Sequence, residues 1–203
     1  MTSLIGICGA TGTGKSTICK KLERENEDYR HLALDNFFKG RDSYSRVLGY
    51  ADMEQPDCTD FDSAFLALYI LKSGNDVTIP KFSKSKDAVV GEKVIEHGNV
   101  VLVEGYHAFY DARIKTILDL RLYLEADEET IKKRRQERDV IYTDEYFHKI
   151  ILPTYRHYSA LYEDAADIVI DANRSLEEVA KDVKSAITQH IDTVKFLNAN
   201  SGR

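Results

Sequence analysis

The stretch that decides the fold is GATGTGKS, residues 9–16, which follows the apolar run Leu4–Cys8 and leads into a segment of helical period from Lys15. It fits the pattern GxxxxGK[ST], and a strand before it and a helix after it are the context in which that pattern cradles phosphate. Glycines let the loop turn its N–H groups inward around phosphate oxygens, and the helix adds the positive end of its dipole. The stretch therefore predicts a nucleotide-binding P-loop.

The positions of this loop have different expected roles. We expect Lys15 to reach the β and γ phosphates of ATP, the Ser16 hydroxyl to bind Mg²⁺, and Thr17 to lie near the α-phosphate. A glycine-rich turn without a ligand is one alternative, and a Rossmann dinucleotide site is disfavoured because GxGxxG is absent. The predicted ATP-binding residues of the loop are Gly9, Ala10, Thr11, Gly12, Thr13, Gly14, Lys15, Ser16 and Thr17.

Around the P-loop, apolar runs of strand length alternate with segments of helical period, which is typical of an α/β protein with a mostly parallel sheet. We predict a P-loop NTPase fold in which a five-stranded parallel sheet is flanked by helices. The runs at 100–104 and 167–171 are almost continuously apolar, which predicts central strands. Residues 77–96 interrupt the alternation and predict a β-hairpin or flap. The five predicted strands are Leu4–Cys8, His31–Asp35, Val100–Glu104, Asp119–Leu124 and Asp167–Asp171.

Composition limits the class of protein. The 203 residues, 43% of them hydrophobic, suit a single domain over 1–203, and the net charge of −6 argues against a nucleic-acid partner. Cys8, Cys19 and Cys58 lack CxxC spacing, which favours neither disulfides nor zinc and suggests a reducing cytoplasm. Neither a secretory leader nor a membrane span is predicted, so we expect no membrane partner.

Two acids follow predicted strands at the edge of the sheet where ligands bind. Asp35 ends the predicted strand HLALD, and Glu104 ends VVLVE. Phosphoryl transfer to an alcohol needs a carboxylate that accepts the hydroxyl proton and a metal ion that spreads phosphate charge. Asp35 is the candidate base and Glu104 the candidate partner of Mg²⁺ through water. Each acid could instead cap the next turn, and the two could exchange roles.

The segment DEETIKKRRQERD, residues 127–139, concentrates positive charge on a predicted helix, with Arg134 and Arg138 on one face at i, i+4 and Arg135 three residues before Arg138. Such a cluster costs stability unless an anion lies against it. We predict a lid over about 127–145, in which Arg134 and Arg135 bind ATP and Arg138 acts on the transferred phosphoryl group. A solvated face balanced by neighbouring glutamates is the alternative.

Together these motifs resemble the uridine kinase family, within the wider group that holds phosphoribulokinase, pantothenate kinase and nicotinamide riboside kinase. GATGTGKST is similar to the family's P-loop, LDNFF to its D-x-F-[FY] segment, MEQPDCTDFD to its acceptor-site stretch and VVLVEGYHAFYD to its VxxEG strand. LRLYLEADEETIKKRRQERD resembles the lid helix with its RRxxRD ending, and AADIVID resembles the last strand. The resemblance implies a base at Asp35, a metal-linked acid at Glu104, phosphate contacts from the three lid arginines, and use of ATP with Mg²⁺.

The acceptor site, expected within about 50–96, departs from the family pattern. After IPKF, the family's Tyr-Asp-Phe and downstream His-x-Arg are replaced by residues 82–86, and the Glu-Arg-Gly that normally follows the lid is missing. YFHKIILPTYRHY looks more like nicotinamide riboside kinase. A ribose acceptor would need carboxylates for its hydroxyls and an aromatic surface for its base, although each candidate could equally belong to the core or surface. The candidates are Asp52, Glu54, Asp57, Phe38, Tyr50, Phe82 and Tyr106.

These observations predict ATP-dependent phosphorylation of a nucleoside-like hydroxyl, with uridine or cytidine first and nicotinamide riboside or another small metabolite as the alternative. A regulatory NTPase is the alternative of a different class, disfavoured because N-K-x-D is absent and no D-x-x-G follows a strand where a GTPase would use it. A scaffold that only binds nucleotide is a third. A homo-oligomer remains open. His107, His148 and His157 lack metal-ligand spacing and are assigned no chemistry.

Overall fold

The computed structural model describes residues 2–40, 43–47, 49–138 and 143–200. Its strands are β1 (Ser3–Gly9), β2 (Tyr29–Ala33), β3 (Arg46–Val47), β4 (Tyr50–Ala51), β5 (Val77–Ser83), β6 (Ala88–Ile95), β7 (Val100–Glu104), β8 (Leu120–Glu125) and β9 (Ile168–Asp171). Its α-helices are α1 (Lys15–Glu25), α2 (Phe61–Lys72), α3 (Ala112–Ile117), α4 (Glu128–Arg138), α5 (Asp144–Tyr146), α6 (Leu152–Asp164) and α7 (Leu176–Asn200). Short 3₁₀ turns span Leu34–Phe37 and Pro56–Cys58, and a π-helical turn, Phe147–Ile151, joins α5 to α6.

The predicted α/β fold with a five-stranded parallel sheet is confirmed. The strand order is β2-β7-β1-β8-β9, and every pairing in this sheet is parallel. In the register of β1 with β7, Ile7 lies opposite Glu104. Because β2, β7 and β1 are neighbours, the segments that follow these three strands meet at one edge of the sheet.

Apolar side chains of the sheet alternate between two faces, each covered by helices. Ile5 and Ile7 of β1 join the core cluster that includes residues of α1 and α7, whereas Leu4 and Cys8 join the cluster that includes residues of α2 and α3. This alternation follows from the two-residue period of a strand. The sheet is therefore buried on both sides, as parallel sheets require.

The structure corrects one prediction about strand position. All five residues of β7 are buried, as predicted for an interior strand, but β9 forms the edge of the sheet and pairs only with β8. Ile168 and Val169 of β9 are exposed, and only Ile170 joins the core. The apolar run in β9 is three residues long, and one inward side chain is enough to pack an edge strand on α7.

The predicted hairpin over 77–96 is confirmed by antiparallel pairing of β5 with β6. Side-chain contacts join the hairpin to the segment after β2. The rings of Phe82 and Phe38 meet edge to face with centroids 5.5 Å apart, and the Tyr44 hydroxyl donates a hydrogen bond of 2.8 Å to Asp87. The hairpin thus lies against the part of the chain that carries Asp35.

Polar side chains cap the starts of three helices. Asp127 accepts from the Thr130 amide before α4, Ser175 from the Glu178 amide before α7, and Asp60 from the Ser63 amide before α2. Asp62 lies inside the first turn of α2, where it pairs with Arg113. Among the described residues, no helix is both long and apolar enough to cross a bilayer.

Candidate active site

The P-loop connects the central strand β1 to α1 through a backbone that only glycine tolerates at key points. A Cβ atom at Gly9 would lie 2.6 Å from the backbone oxygen of Leu124 on β8, closer than real contacts allow. Gly14 caps α1 with φ of 95°, a left-handed conformation that costs other residues free energy. The loop can therefore pass close to β8 and lead directly into α1.

Lys15 lies at the base of this loop. Its side chain is buried, and Nζ donates hydrogen bonds of 2.7 Å and 2.9 Å to the carbonyl oxygens of Gly9 and Ala10. Burial lowers the pKa of Lys15, while the nearby charge of Glu104 opposes that shift. The structure therefore places a cation inside the curve of the loop.

Ser16 and Glu104 meet beside the loop. The Ser16 hydroxyl donates a 2.7 Å hydrogen bond to Oε1 of Glu104, whose side chain is almost completely buried. Burial raises the pKa of Glu104, but His31, Lys15 and the Ser16 hydroxyl together outweigh burial and hold this pKa below its usual range. His31 Nε2 lies 3.4 Å from Oε1 without hydrogen-bond alignment, so its influence is electrostatic. Glu104 is therefore a carboxylate at neutral pH.

This pair fits Mg²⁺. A hydroxyl and a carboxylate are the hard oxygen ligands that Mg²⁺ prefers, and Mg²⁺ usually takes only one or two protein carboxylates together with phosphate oxygens and water. Within the described ranges, no group of three or more His, Cys, Asp or Glu side chains could hold a metal ion. Ser16 and Glu104 could bind Mg²⁺ together with phosphate oxygens of a nucleotide.

Asp35 lies at the same edge of the sheet, although not where the sequence placed it. β2 ends at Ala33 instead of Asp35, because Ala33 pairs with Glu104, where β7 itself ends and the ladder has no further partner. Asp35 belongs to the following 3₁₀ turn, and its Oδ2 lies 2.5 Å from Nζ of Lys84 in the turn of the hairpin. The charge of Asp35 also influences the pKa of Lys15. The structure thus brings Asp35, Glu104 and the P-loop together.

Lys84 is a member of this cluster that sequence reasoning missed. The sequence marked it only as a departure from a family pattern, because its partner lies 49 positions earlier in the chain. Loss of nearby water lowers the pKa of Lys84, although most of its side chain is exposed, but the carboxylates of Asp35 and Glu104 raise this pKa more, so the net shift is upward. Lys84 is therefore a cation that contacts Asp35 and is influenced by the charge of Glu104.

The arginines of α4 reach the P-loop. Arg134 donates to the carbonyl oxygen of Gly12 at 3.4 Å, while Arg135 and Arg138 donate to the hydroxyl of Thr11 at 2.7 Å and 3.3 Å. The helix is packed on the core through its buried Ile131. All three predicted arginines thus lie against the loop. Residues 139–142 of the predicted lid lie outside the described part of the chain.

Arg135 also connects the lid to the predicted acceptor region. Its Nη1 lies 3.7 Å from Oε1 of Glu54, and both side chains are largely buried. Burial raises the pKa of Glu54, and the charge of Arg135 opposes this shift. One guanidinium group therefore touches both the nucleotide loop and a carboxylate of the candidate acceptor site.

The other carboxylates predicted for the acceptor differ in their surroundings. Asp52 is buried, and its oxygens accept hydrogen bonds from the amide of Glu54 at 3.0 Å and from the Gln55 side chain at 2.9 Å, which fixes the local turn. Asp57 is exposed in the 3₁₀ turn Pro56–Cys58. The pKa of Glu54 responds to the charges of Lys84, Asp35 and Asp52, which connects this carboxylate to the groups around Asp35.

The predicted aromatic residues fall into two groups. Phe38 and Phe82 pair with each other beside Asp35, whereas Tyr106 packs on His107 with ring centroids 4.5 Å apart. The buried Tyr106 hydroxyl has no hydrogen-bonding partner among the residues described; burial raises its pKa, and the charge of Glu54 adds to that shift. The side chain of Tyr50 lies outside the described part of the structure.

His107, which was assigned no role from the sequence, contacts the backbone of the candidate acceptor region at Glu54. Its Nε2 lies 2.7 Å from the carbonyl oxygen of Glu54 and its Nδ1 lies 2.5 Å from the Tyr162 hydroxyl. A carbonyl can only accept, so Nε2 carries the proton, and in the neutral ring Nδ1 accepts from Tyr162. Burial lowers the pKa of His107 to about 4. A neutral imidazole therefore positions the backbone of Glu54.

Comparisons with known proteins found a matching family model and several similar proteins. The family model described as "Phosphoribulokinase / Uridine kinase family" matches residues 4–175. Uridine-cytidine kinase B of Dictyostelium discoideum is 27% identical over 98% of this chain and 89% of its own length. The uridine kinase of Schizosaccharomyces pombe is 27% identical over 84% of this chain. The chain spans 40% of the length of that relative.

Solved structures show the same fold. A protein described as a possible uridine kinase from Bacillus stearothermophilus superposes with a TM-score of 0.64 at 16% identity, covering 84% of this chain and 89% of its own. Shikimate kinase from Acinetobacter baumannii gives a TM-score of 0.55 at 18% identity and covers 96% of both chains. At these identities the likeness establishes the P-loop kinase fold.

Proposed function

Because the chain belongs to the phosphoribulokinase and uridine kinase family, we propose that it transfers the γ-phosphoryl group of ATP to a hydroxyl of a nucleoside, with uridine and cytidine as the first acceptors. The observation that carries this proposal is the meeting of three groups at one edge of the sheet. The P-loop follows β1, Glu104 ends β7 beside it, and Asp35 follows β2 next to β7. A phosphate cradle, an acid suited to a metal and a second acid are the groups that phosphoryl transfer to an alcohol requires.

In this proposal Asp35 orients the acceptor hydroxyl and takes its proton as the oxygen attacks the γ-phosphorus. Lys15 and the amides of the P-loop bind the phosphates, so the leaving ADP oxygen develops its charge next to a buried cation. Ser16 and Glu104 would hold Mg²⁺, which when bound supplies charge neutralisation at the phosphates.

The arginines of α4 would bind phosphate oxygens and exclude water. Arg135 contacts both Thr11 and Glu54, so the position of the lid is linked to the acceptor region. Excluding water matters because a hydroxyl of the acceptor competes with water for the same phosphorus. A kinase of this kind should release little ADP when its acceptor is absent.

The test is ADP release from Mg·ATP with a panel of uridine, cytidine, adenosine, guanosine and nicotinamide riboside, with identification of the phosphorylated product. We expect release that depends on a nucleoside. Replacing the base, Asp35→Asn, should lower kcat by at least about 100-fold while ATP affinity persists, since general base catalysis contributes factors of this size. Hydrolysis that is independent of any acceptor would instead identify a regulatory NTPase, and an unchanged kcat would remove Asp35 as the base.

A further inference from the structure

The turn of the β5–β6 hairpin places a lysine in the candidate active site. Lys84 follows the last residue of β5, and its Nζ lies 2.5 Å from Oδ2 of Asp35. On either side of Lys84, the hairpin is held to the segment after β2, through Phe82 against Phe38 and through Asp87 bonded to Tyr44. These flanking contacts set the position of Lys84 without requiring its ammonium group.

The contact with Asp35 leaves one carboxylate oxygen available. Lys84 contacts Oδ2, and among the described residues no side chain or amide is bonded to Oδ1. A carboxylate has enough acceptor capacity to hold an ammonium on one oxygen and a substrate hydroxyl on the other. The ion pair is therefore compatible with Asp35 acting as a base through Oδ1.

The surroundings of Lys84 also point towards the phosphates. The charge of Lys84 lowers the pKa of Lys15 at the P-loop. The pKa of Lys84 is in turn raised by Glu104 and lowered by Arg138 of the lid. Lys15 and Arg138 both contact the P-loop, at the Gly9 carbonyl and the Thr11 hydroxyl, and Lys84 contacts Asp35 at the same edge of the sheet. Cations gathered at one site repel one another, and the anion that would relieve the repulsion is the phosphoryl group that moves between the loop and Asp35.

We infer that Lys84 is a catalytic residue whose ammonium contacts the phosphoryl group during its transfer, an inference that rests on the proposed kinase function. The acceptor oxygen forms a bond to the γ-phosphorus as its proton passes to Oδ1 of Asp35. The bond from that phosphorus to the bridging oxygen of ADP breaks, and ADP keeps the electron pair. Lys84 stabilises the charge on the oxygens of the moving group and changes neither its own bonding nor its protonation.

The experiment compares Lys84→Ala and Lys84→Arg with Lys86→Ala, which removes an exposed lysine from the same turn. Because the side chain of Lys84 is 67% exposed, the variants should melt within a few degrees of the unmodified protein. We expect Lys84→Ala to lower kcat by about 100-fold, as loss of one transition-state donor does, while the KM values for ATP and the acceptor change less than about threefold. Lys84→Arg should recover at least about tenfold because it keeps the charge, and Lys86→Ala should be unaffected.

A kcat for Lys84→Ala within about threefold of the unmodified protein would overturn the inference. So would a change confined to the KM of the acceptor, because it would assign Lys84 to an anionic group on the acceptor instead. If the unmodified protein phosphorylates no nucleoside, the proposed function fails, and that result is separate from any difference between the variants.

A second measurement tests Lys84 without an acceptor. ADP with aluminium fluoride and Mg²⁺ mimics the phosphoryl group in transfer. Lys84→Ala should bind this mixture at least about tenfold more weakly, with no change in its affinity for Mg·ADP alone. Equal affinity of the two proteins for the aluminium fluoride complex would contradict a contact with the moving group.

Discussion

The buried imidazole of His107 should make the stability of the protein fall steeply in mild acid, and His107→Gln should remove part of that fall. The pKa of His107 is lowered by burial to about 4, whereas in the unfolded chain it should lie near 6.5. As the pH falls below about 6.5, His107 therefore binds a proton in the unfolded state but stays neutral in the folded state. The stabilising effect of neutral His107 is complete above this pH and is lost between about 6.5 and 4.

The magnitude follows from the two pKa values. A difference of about 2.5 units corresponds to roughly 3 kcal/mol in the acid limit and to about 2.5 kcal/mol at about pH 4.5. Little of this is screened, since the ring is 7% exposed and bonded on both nitrogens. Protonation of Nδ1 would also require the Tyr162 hydroxyl to change from donor to acceptor.

The assay is urea unfolding at about pH 7.5 and about pH 4.5, in which His107→Gln is compared with the unmodified protein and with His157→Gln, a change at an exposed histidine. The glutamine variant should be less stable at the higher pH because it cannot reproduce both hydrogen bonds. Its loss of unfolding free energy between the two pH values should nevertheless be smaller by about 2.5 kcal/mol. Equal losses in the His107 variant and the unmodified protein would refute the reasoning, and His157→Gln should match the unmodified protein.

Three further outcomes concern the P-loop and its surroundings. Lys15→Ala should weaken ATP binding by at least about tenfold in calorimetry, since it removes a charged donor to phosphate; undiminished affinity would contradict its phosphate role. Glu104→Gln should raise the Mg²⁺ concentration needed for half-maximal activity by at least about tenfold, and an unchanged requirement would remove Glu104 from the metal site. Gly9→Ala should cost about 2 kcal/mol in chemical denaturation through contact with the Leu124 oxygen. Gly91→Ala, which has the same φ of 150° but open space, should cost less, so equal losses would exclude that contact as the cause.

The features predicted well from sequence are those that short stretches encode. The P-loop is recognisable because its glycines and Lys15 must occupy fixed positions between one strand and one helix. The five strands and the hairpin follow from apolar runs and their spacing. The arginine cluster on α4 is visible in the sequence as charge within one helix, and the structure places it against Gly12 and Thr11 of the P-loop.

The features predicted poorly depend on partners far along the chain. β2 stops at Ala33 because β7 ends opposite it, and β9 lies at the edge because of strand order, which composition does not encode. Lys84 contacts Asp35, which lies 49 positions earlier in the chain, and His107 contacts Glu54, which lies 53 positions earlier. A lysine in a hairpin and a histidine after a strand have no local pattern that distinguishes them from surface or core residues.

The order of the sheet has a consequence for refolding. Ser16 meets Glu104 across 88 residues of sequence, and both need β7 inserted between β1 and β2 before Asp35 can approach them. The site is therefore complete only when β1, β2 and β7 are assembled in the sheet. Regain of turnover after dilution from denaturant should consequently lag behind the recovery of helical circular dichroism, since contacts between distant segments form late.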